Sequence, residues 1–200
     1  MDRPGKRVHI GSGPNLLPGW INVDLHPIPG LDFAIDVRQG LPFDNVALLF
    51  AEHFLEHLTI DEGLAFLRDC RKILKPNGVL RLSTPNLDWV ILTHYHGPSV
   101  PQEDAIVDSL RLNRAFHGWG HQFLYNRAML ETVLRAAGFA SIRFEKYRES
   151  SIDALRGIEQ HETYDDVPGL PHVLVAEAEG SDEPRPVPEN LYNEFKQAYL

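Results

Sequence analysis

Apolar and polar positions alternate along the chain in short runs. Val8 and Ile10 alternate with Arg7 and His9, the period of a half-buried strand. Ile21 and Val23 repeat the pattern before Asp24, and residues 31–37 read as a third strand with Asp36 near its end. Residues 46–51, VALLFA, are continuously apolar, as a strand buried on both faces requires. Residues 79–83, 142–147 and 173–177 supply three later strands. Between the fourth and fifth strands the period changes. Thr59 and Glu62 have capping-box spacing, and Ile60, Leu64, Leu67, Cys70 and Leu74 follow at helical intervals until Lys75-Pro76-Asn77-Gly78. A second helix starts at the N-cap Asn126 and turns Met129, Leu130, Val133, Leu134 and Ala137 inward. Gly138 and Phe139 fit a Schellman end.

Strands linked through a crossover helix predict an α/β domain with a mostly parallel sheet over residues 1–179. The rhythm breaks at residues 84–125, which carry His94, His96, His117, His121, Trp89, Tyr95, Phe116 and Trp119. Residues 102–116 fit a helix and the remainder a loop, so a lid insertion is expected at about 85–125. Residues 151–171 show little pattern. GSDEPRPVP at 180–188 has linker composition, and Leu191, Phe195, Ala198 and Tyr199 suggest a terminal amphipathic helix within 180–200. That helix would pack on its own domain or form a dimer contact.

The 200 residues are 43% hydrophobic, enough for one domain with a sizeable core. The formal charge of −9 argues against broad contact with nucleic acid. No apolar run is long enough for a membrane span, and residues 1–10 lack a secretory apolar core. One cysteine, Cys70, excludes an internal disulfide and fits a reducing cytoplasm. A cytoplasmic protein that binds neither membrane nor nucleic acid is expected.

Gly11-Ser12-Gly13 follows the first strand and Asp24 ends the second. Glycines there permit positive φ and close approach of a ligand. A carboxylate at a strand's carboxyl end suits the two hydroxyls of a ribose. A dinucleotide fingerprint would need a third glycine where Leu16 stands, and an acid about 20 residues on. Asp24 follows Gly13 by only eleven. With no lysine after the glycines, a P-loop is also excluded. A ligand with ribose but no pyrophosphate fits better. His53-Phe54-Leu55-Glu56-His57 separately matches HxxEH, in which two histidines on one helix face grip zinc beside a glutamate base. The capping signal starts the helix after this run, at Thr59, which counts against that reading.

HIGSG with Asp24, Asp36 with LPFDN, LLFAEHFLEHL, ILKPNGVLRLSTPN, and HQFLY followed by LRAAGF together resemble a class I methyltransferase that uses S-adenosyl-L-methionine. The resemblance covers about residues 7–147 and is nearest to small bacterial methyltransferases of the type 11 group, with GSGxxxxPGWINVD after the first strand. It implies a Rossmann-like sheet of order 3-2-1-4-5-7-6, strand 7 antiparallel, with helices on both faces and a lid after strand 5. It implies that Gly11, Ser12 and Gly13 lie beside the methionine part of the cofactor. Asp24 would take the ribose hydroxyls, Leu25 the adenine edge, Asp36 the adenine N6 amine, and Val37 would flank the base. Glu52 and His53 would face the sulfonium and the acceptor. Two departures stand out. His9 replaces the acid that usually precedes the first glycine, and the helix between strands 1 and 2 shrinks to a few residues around Asn15 and Leu17.

Methyl transfer from a sulfonium is one in-line displacement, so placement of the acceptor does most of the work. An oxygen acceptor also calls for a base. His53 and His121 are the expected catalytic residues, with His57 and His117 as further candidates and Tyr125 as an orienter. Trp20, Phe54 or Trp119 could face the positive sulfur. The sequence therefore predicts a methyltransferase for a small-molecule or sugar-like acceptor, monomeric or homodimeric, with no metal assigned. The alternatives are a non-catalytic binding protein on the same fold and the HxxEH zinc hydrolase.

Overall fold

The computed structural model describes residues 4–161, 167–185 and Asn193. Apart from Asn193, the expected terminal helix lies outside the described residues. Strands β1 (Lys6–Ile10), β2 (Ile21–Asp24), β3 (Phe33–Ala34), β4 (Val46–Glu52), β5 (Leu74–Pro85), β6 (Ser141–Glu145) and β7 (Val173–Glu179) form one sheet. Its order is β3-β2-β1-β4-β5-β7-β6, the order expected. The first five strands run parallel, and β7 is antiparallel to both neighbours.

Strand alternation sorts the core into two faces. Val8, Ile10, Leu49, Ala51, Leu80 and Leu82 meet helices α1 (Ile60–Ile73) and α4 (Arg127–Ala136) through Leu64, Leu67, Leu130, Val133 and Leu134. On the other face Leu48, Phe50 and Val79 meet Ile152, Leu155 and Ile158, with Leu17 and Trp20 against them. A 3-10 turn at Asp153–Leu155 and the chain around it cover this second face. The β1–β2 connection is short and has no helix. Asn22 organises it, with Oδ1 accepting from Leu17 N at 2.8 Å and Nδ2 donating to Leu17 O and Trp20 O.

The helix signals act as expected. Thr59 and Glu62 form the reciprocal capping box of α1. At the end of α4, Phe139 N donates to Leu134 O and Gly138 N to Arg135 O, the two Schellman bonds, with Gly138 at φ 91°. Three boundaries differ from expectation. β3 keeps two residues because the Asp36 side chain caps a 3-10 turn at Val37–Gln39, which ends the extended chain. Lys75-Pro76-Asn77-Gly78 stays within β5, where Val46 pairs Leu74 but Leu48 already pairs Val79. The turn residues bulge out of the ladder, and a Cβ on Gly78 would stand 2.8 Å from Val46 O. Residues 87–94 form α2 (Leu87–His94), capped by Asn86, where loop was expected. LDWVILTH has no amphipathic period: Trp89 and Val90 are buried while Ile91 and Leu92 are exposed. The predicted helix after it is present as α3 (Gln102–His117).

Among the buried side chains of the second face is a charge. Arg81, fully buried on β5, donates through Nε to Glu159 at 2.5 Å and through Nη1 to Glu177 at 2.7 Å. Ser150 Oγ also donates to Glu177 at 2.6 Å. Removing the guanidinium leaves two carboxylates without their main partner in a dry site. Arg81→Met is expected to destabilise the fold by about 3–5 kcal/mol, read as a lower midpoint in urea denaturation followed by circular dichroism.

Candidate functional site

The carboxyl ends of β1, β2 and β4 meet at one edge of the sheet. Gly11 (φ 66°) and Gly13 (φ 49°) both need the left-handed region, but for different neighbours. A Cβ on Gly11 would lie 2.5 Å from Phe54 Cδ2, so this glycine makes room for an aromatic ring of the chain itself. Nothing lies within 4 Å of a Cβ on Gly13, which therefore opens onto free space. Ser12 between them is buried and donates its N–H to Val23 O at 3.1 Å. Asp24 accepts from Gly13 N at 2.8 Å and from His26 N at 3.1 Å. Each carboxylate oxygen has capacity for a further donor. Leu25 beside it is half-exposed. Asp36 accepts from Arg38 N, Nε and Nη2 at 2.8–3.0 Å, and these bonds hold its carboxyl below the usual range. Val37 is buried in the core.

The acid-to-histidine change in β1 has a structural counterpart. His9 is buried, stacks on Phe50 at 5.0 Å between centroids, and faces Asn22 Oδ1 at 3.4 Å. Burial lowers its pKa to about 4, so the imidazole is neutral where the usual motif carries a negative charge. Glu52, the last residue of β4, and Asp24 are the acids that act on His9. The Glu52 carboxylate accepts from Gln160 N at 2.9 Å, His161 N at 3.1 Å and Tyr147 OH at 3.3 Å, and pairs with His161 Nδ1 at 3.2 Å. Burial raises its pKa, but the bonds from His161 and the two backbone N–H groups outweigh it, and the net shift is downward. The same contact raises His161.

His53, at φ 46°, leads from β4 into a cavity of about 910 Å³. α2, α3 and the 3-10 turn at Gly118–Gly120 wall it, with Trp89, Arg111, Arg114 and Trp119 in the lining. His53 stacks on His161 at 4.6 Å and turns Nδ1 to Glu56 Oε1 at 3.3 Å, while its Nε2 is buried without a hydrogen-bond partner among the described residues. Glu56 is fully buried, and Oε2 accepts from Thr84 Oγ1 at 3.0 Å. Burial raises its carboxyl, yet contact with His53 lowers it by more. His57 and His121 meet at 5.1 Å on the same wall, and burial lowers His57.

His53, His57 and His121 thus come together, while His117 ends α3 in solvent. Tyr125 is fully buried in the helix-side core. Phe54 packs on Phe66, Trp20 on Phe50, and Trp119 lies exposed beneath the Arg114 guanidinium. The HxxEH run does not form an α-helix: Leu55–His57 is a 3-10 turn and α1 starts later. Gln160 and His161 were missed, because 151–171 carries no periodic signal; the histidine itself was the one visible clue.

No protein-family profile matches the chain. The ubiquinone biosynthesis O-methyltransferase of Rhodopseudomonas palustris (strain HaA2) is 28% identical over 120 residues, 54% of this chain and 46% of that protein. The structure of the CurJ carbon methyltransferase matches 90% of this chain and 49% of its own, with TM-score 0.53 and 17% identity. The complex of DhpI with SAH matches 89% and 78%, with TM-score 0.53 and 16% identity. The fold is the Rossmann-type sheet of the class I methyltransferases. The chain spans about half the length of the curated relative it matches. No helix among the described residues is long and apolar enough to cross a membrane.

His9 gives this sheet a pH dependence. Its folded pKa of about 4 lies below the ordinary 6.5, so the unfolded chain binds the extra proton between those values. The associated stability is complete above 6.5 and is lost as pH falls toward 4, the loss reaching about 2 kcal/mol at pH 5. Urea titrations at pH 7.5 and 5 are expected to show a smaller acid loss for His9→Phe than for the parent, by about that amount.

Proposed function

We propose that this chain is an S-adenosyl-L-methionine-dependent methyltransferase acting on a small-molecule acceptor. The observation that carries this reading is the position of His53. It follows the strand beside the glycine turn and also lines the cavity under α2 and α3. One residue therefore borders both a nucleoside-type strand edge and a chamber large enough for a second molecule.

The residues present fit the cofactor at its ribose end. Gly13 leaves open ground, Asp24 has spare acceptor capacity at the strand edge, and Leu25 offers an exposed apolar side chain to a base. Asp36 and Val37 would border that base, and the Gly11-Ser12-Gly13 turn the methionine part. When bound, the cofactor supplies a methyl group already activated on a sulfonium. The chain's own part is to orient the acceptor, exclude water and remove a proton. Glu56 beside His53 Nδ1 favours the tautomer with the proton on that nitrogen, which leaves Nε2 as the basic nitrogen of a cavity-lining residue. An acceptor hydroxyl at Nε2 would lose its proton there as its oxygen attacks. Arg111 and Arg114 add positive charge to the wall, which suits an acidic or oxygen-rich acceptor. Residues 85–125 act as the cover of this chamber.

Calorimetric titration with S-adenosylhomocysteine is expected to show one-to-one micromolar binding. Asp24→Ala removes hydrogen bonds to a charged acceptor, worth about 1.5–3 kcal/mol, and is expected to weaken binding by about 10- to 150-fold. Gly13→Ala meets no atom of the chain and costs the fold only about 1–2 kcal/mol for its left-handed backbone. Its loss of affinity should exceed that strain if a ligand covers the turn. Unchanged affinity in both variants removes the ribose and glycine-turn assignments.

A further inference from the structure

Beside the cavity is a second arrangement, which shares Glu56 with the methyl-transfer reading and adds His57 and His121. Glu56, His57 and His121 each offer a ligand atom, and these atoms lie within 4.8 Å of one another. The chain holds them there by backbone bonds. Gln122 N and Phe123 N both donate to Glu56 O, at 2.7 and 3.2 Å, which fastens the segment bearing His121 against the turn bearing Glu56 and His57. His121 Nδ1 lies 2.8 Å from Ala115 O, so this nitrogen carries the proton and donates it, leaving Nε2 as a ligand. Thr84 Oγ1 fixes the Glu56 carboxylate through Oε2. Oε1 of that fully buried carboxylate faces His53 Nδ1 at 3.3 Å.

We propose that Glu56, His57 and His121 bind a divalent transition-metal ion of the zinc or ferrous class, with an open coordination position facing the cavity. Two imidazoles and one carboxylate are a recurrent set for such ions, and three protein ligands leave room for water or substrate. The outer contacts are of the kind that orient metal ligands: a carbonyl on the far nitrogen of a histidine and a hydroxyl on the second carboxylate oxygen. Metal–ligand bonds of about 2.0–2.2 Å put neighbouring ligand atoms about 3.4 Å apart. Closing the cluster therefore takes about an ångström of movement, within reach of side-chain rotation by two half-buried imidazoles. The open position would take an oxygen of the acceptor and make its hydroxyl more acidic, a role that rests on the methyltransferase reading. The ion site itself does not rest on it. It also differs from the HxxEH arrangement, because His121 replaces His53 and the residues sit on a 3-10 turn and a distant segment.

The test uses untagged full-length protein stripped by a chelator and titrated with Co²⁺, followed by its visible absorption bands, with Zn²⁺ competition by calorimetry. One ion per chain is expected. His57→Ala and His121→Ala should each weaken binding at least about 10-fold, the scale already reached by loss of outer partners. His117→Ala, outside the cluster, should leave it unchanged, and circular dichroism confirms that each variant is folded. Co²⁺ affinity in the His57 and His121 variants equal to the parent's, or binding by the parent well below one ion per chain, overturns the proposal. S-adenosylhomocysteine titrated into the same stripped samples separates the two readings. Nucleoside binding without a Co²⁺ site removes the ion alone. A Co²⁺ site without nucleoside binding supports the ion and removes the methyltransferase reading.

Discussion

Arg81 carries a full positive charge with no exposed surface, in the middle of the sheet. Desolvating a guanidinium costs several kcal/mol, so it must be neutralised where it stands. Glu177 is its cross-strand partner in the β5–β7 ladder, and Arg143 of β6 approaches the same carboxylate. Glu159 arrives from outside the sheet and brings the chain at 148–161 down onto the second face. The next two residues, Gln160 and His161, then place their N–H groups on Glu52. Through His161 the same segment stacks on His53. One buried cation thus fixes the cover of the second face and the wall of the candidate site.

The first strand shows how a missing charge can be replaced by geometry. The acid usual before the first glycine is here a neutral imidazole packed on Phe50. The task of holding the connection passes to Asn22, whose amide spans the Leu17 and Trp20 backbone, and to Asp32, which accepts from Asn22 N at 2.7 Å. Asp24 then holds the glycine turn directly through Gly13 N. The turn keeps its shape without a helix behind it, because side-chain amides and carboxylates satisfy backbone groups that a longer crossover would pair internally.

The sheet was legible because its signals are local. Alternation at 7–10, the apolar run at 46–51, the Thr59–Glu62 box and the Gly138 stop each act within a few residues, and each took effect. α2 was not legible, since the apolar residues of LDWVILTH fall on no single helix face and give no period to read. The bulge at 75–78 was hidden for a related reason: Pro-Asn-Gly states that the chain turns, but not whether the strand resumes. In the site, His53 and His121 were legible as chemistry and were brought to one cavity. Their partners were not. Glu56 reached His121 through tertiary bonds, and His161 reached Glu52 across a separation of 109 residues. No window of sequence contains both ends of such a contact.

That separation has a consequence during synthesis. The glycine turn and Asp24 emerge from the ribosome early, followed by β4 with Glu52 and His53. Glu52 has no cover until residues 160 and 161 appear, and Arg81 lacks one of its carboxylates until residue 177 has joined the sheet. Contacts of such long range form late, after the loops between them have closed. A nascent chain therefore displays the carboxyl edge of β1 and β2 while the chamber beside it is still open to solvent. The order of emergence makes the strand that lies antiparallel, β7, the piece that completes the sheet.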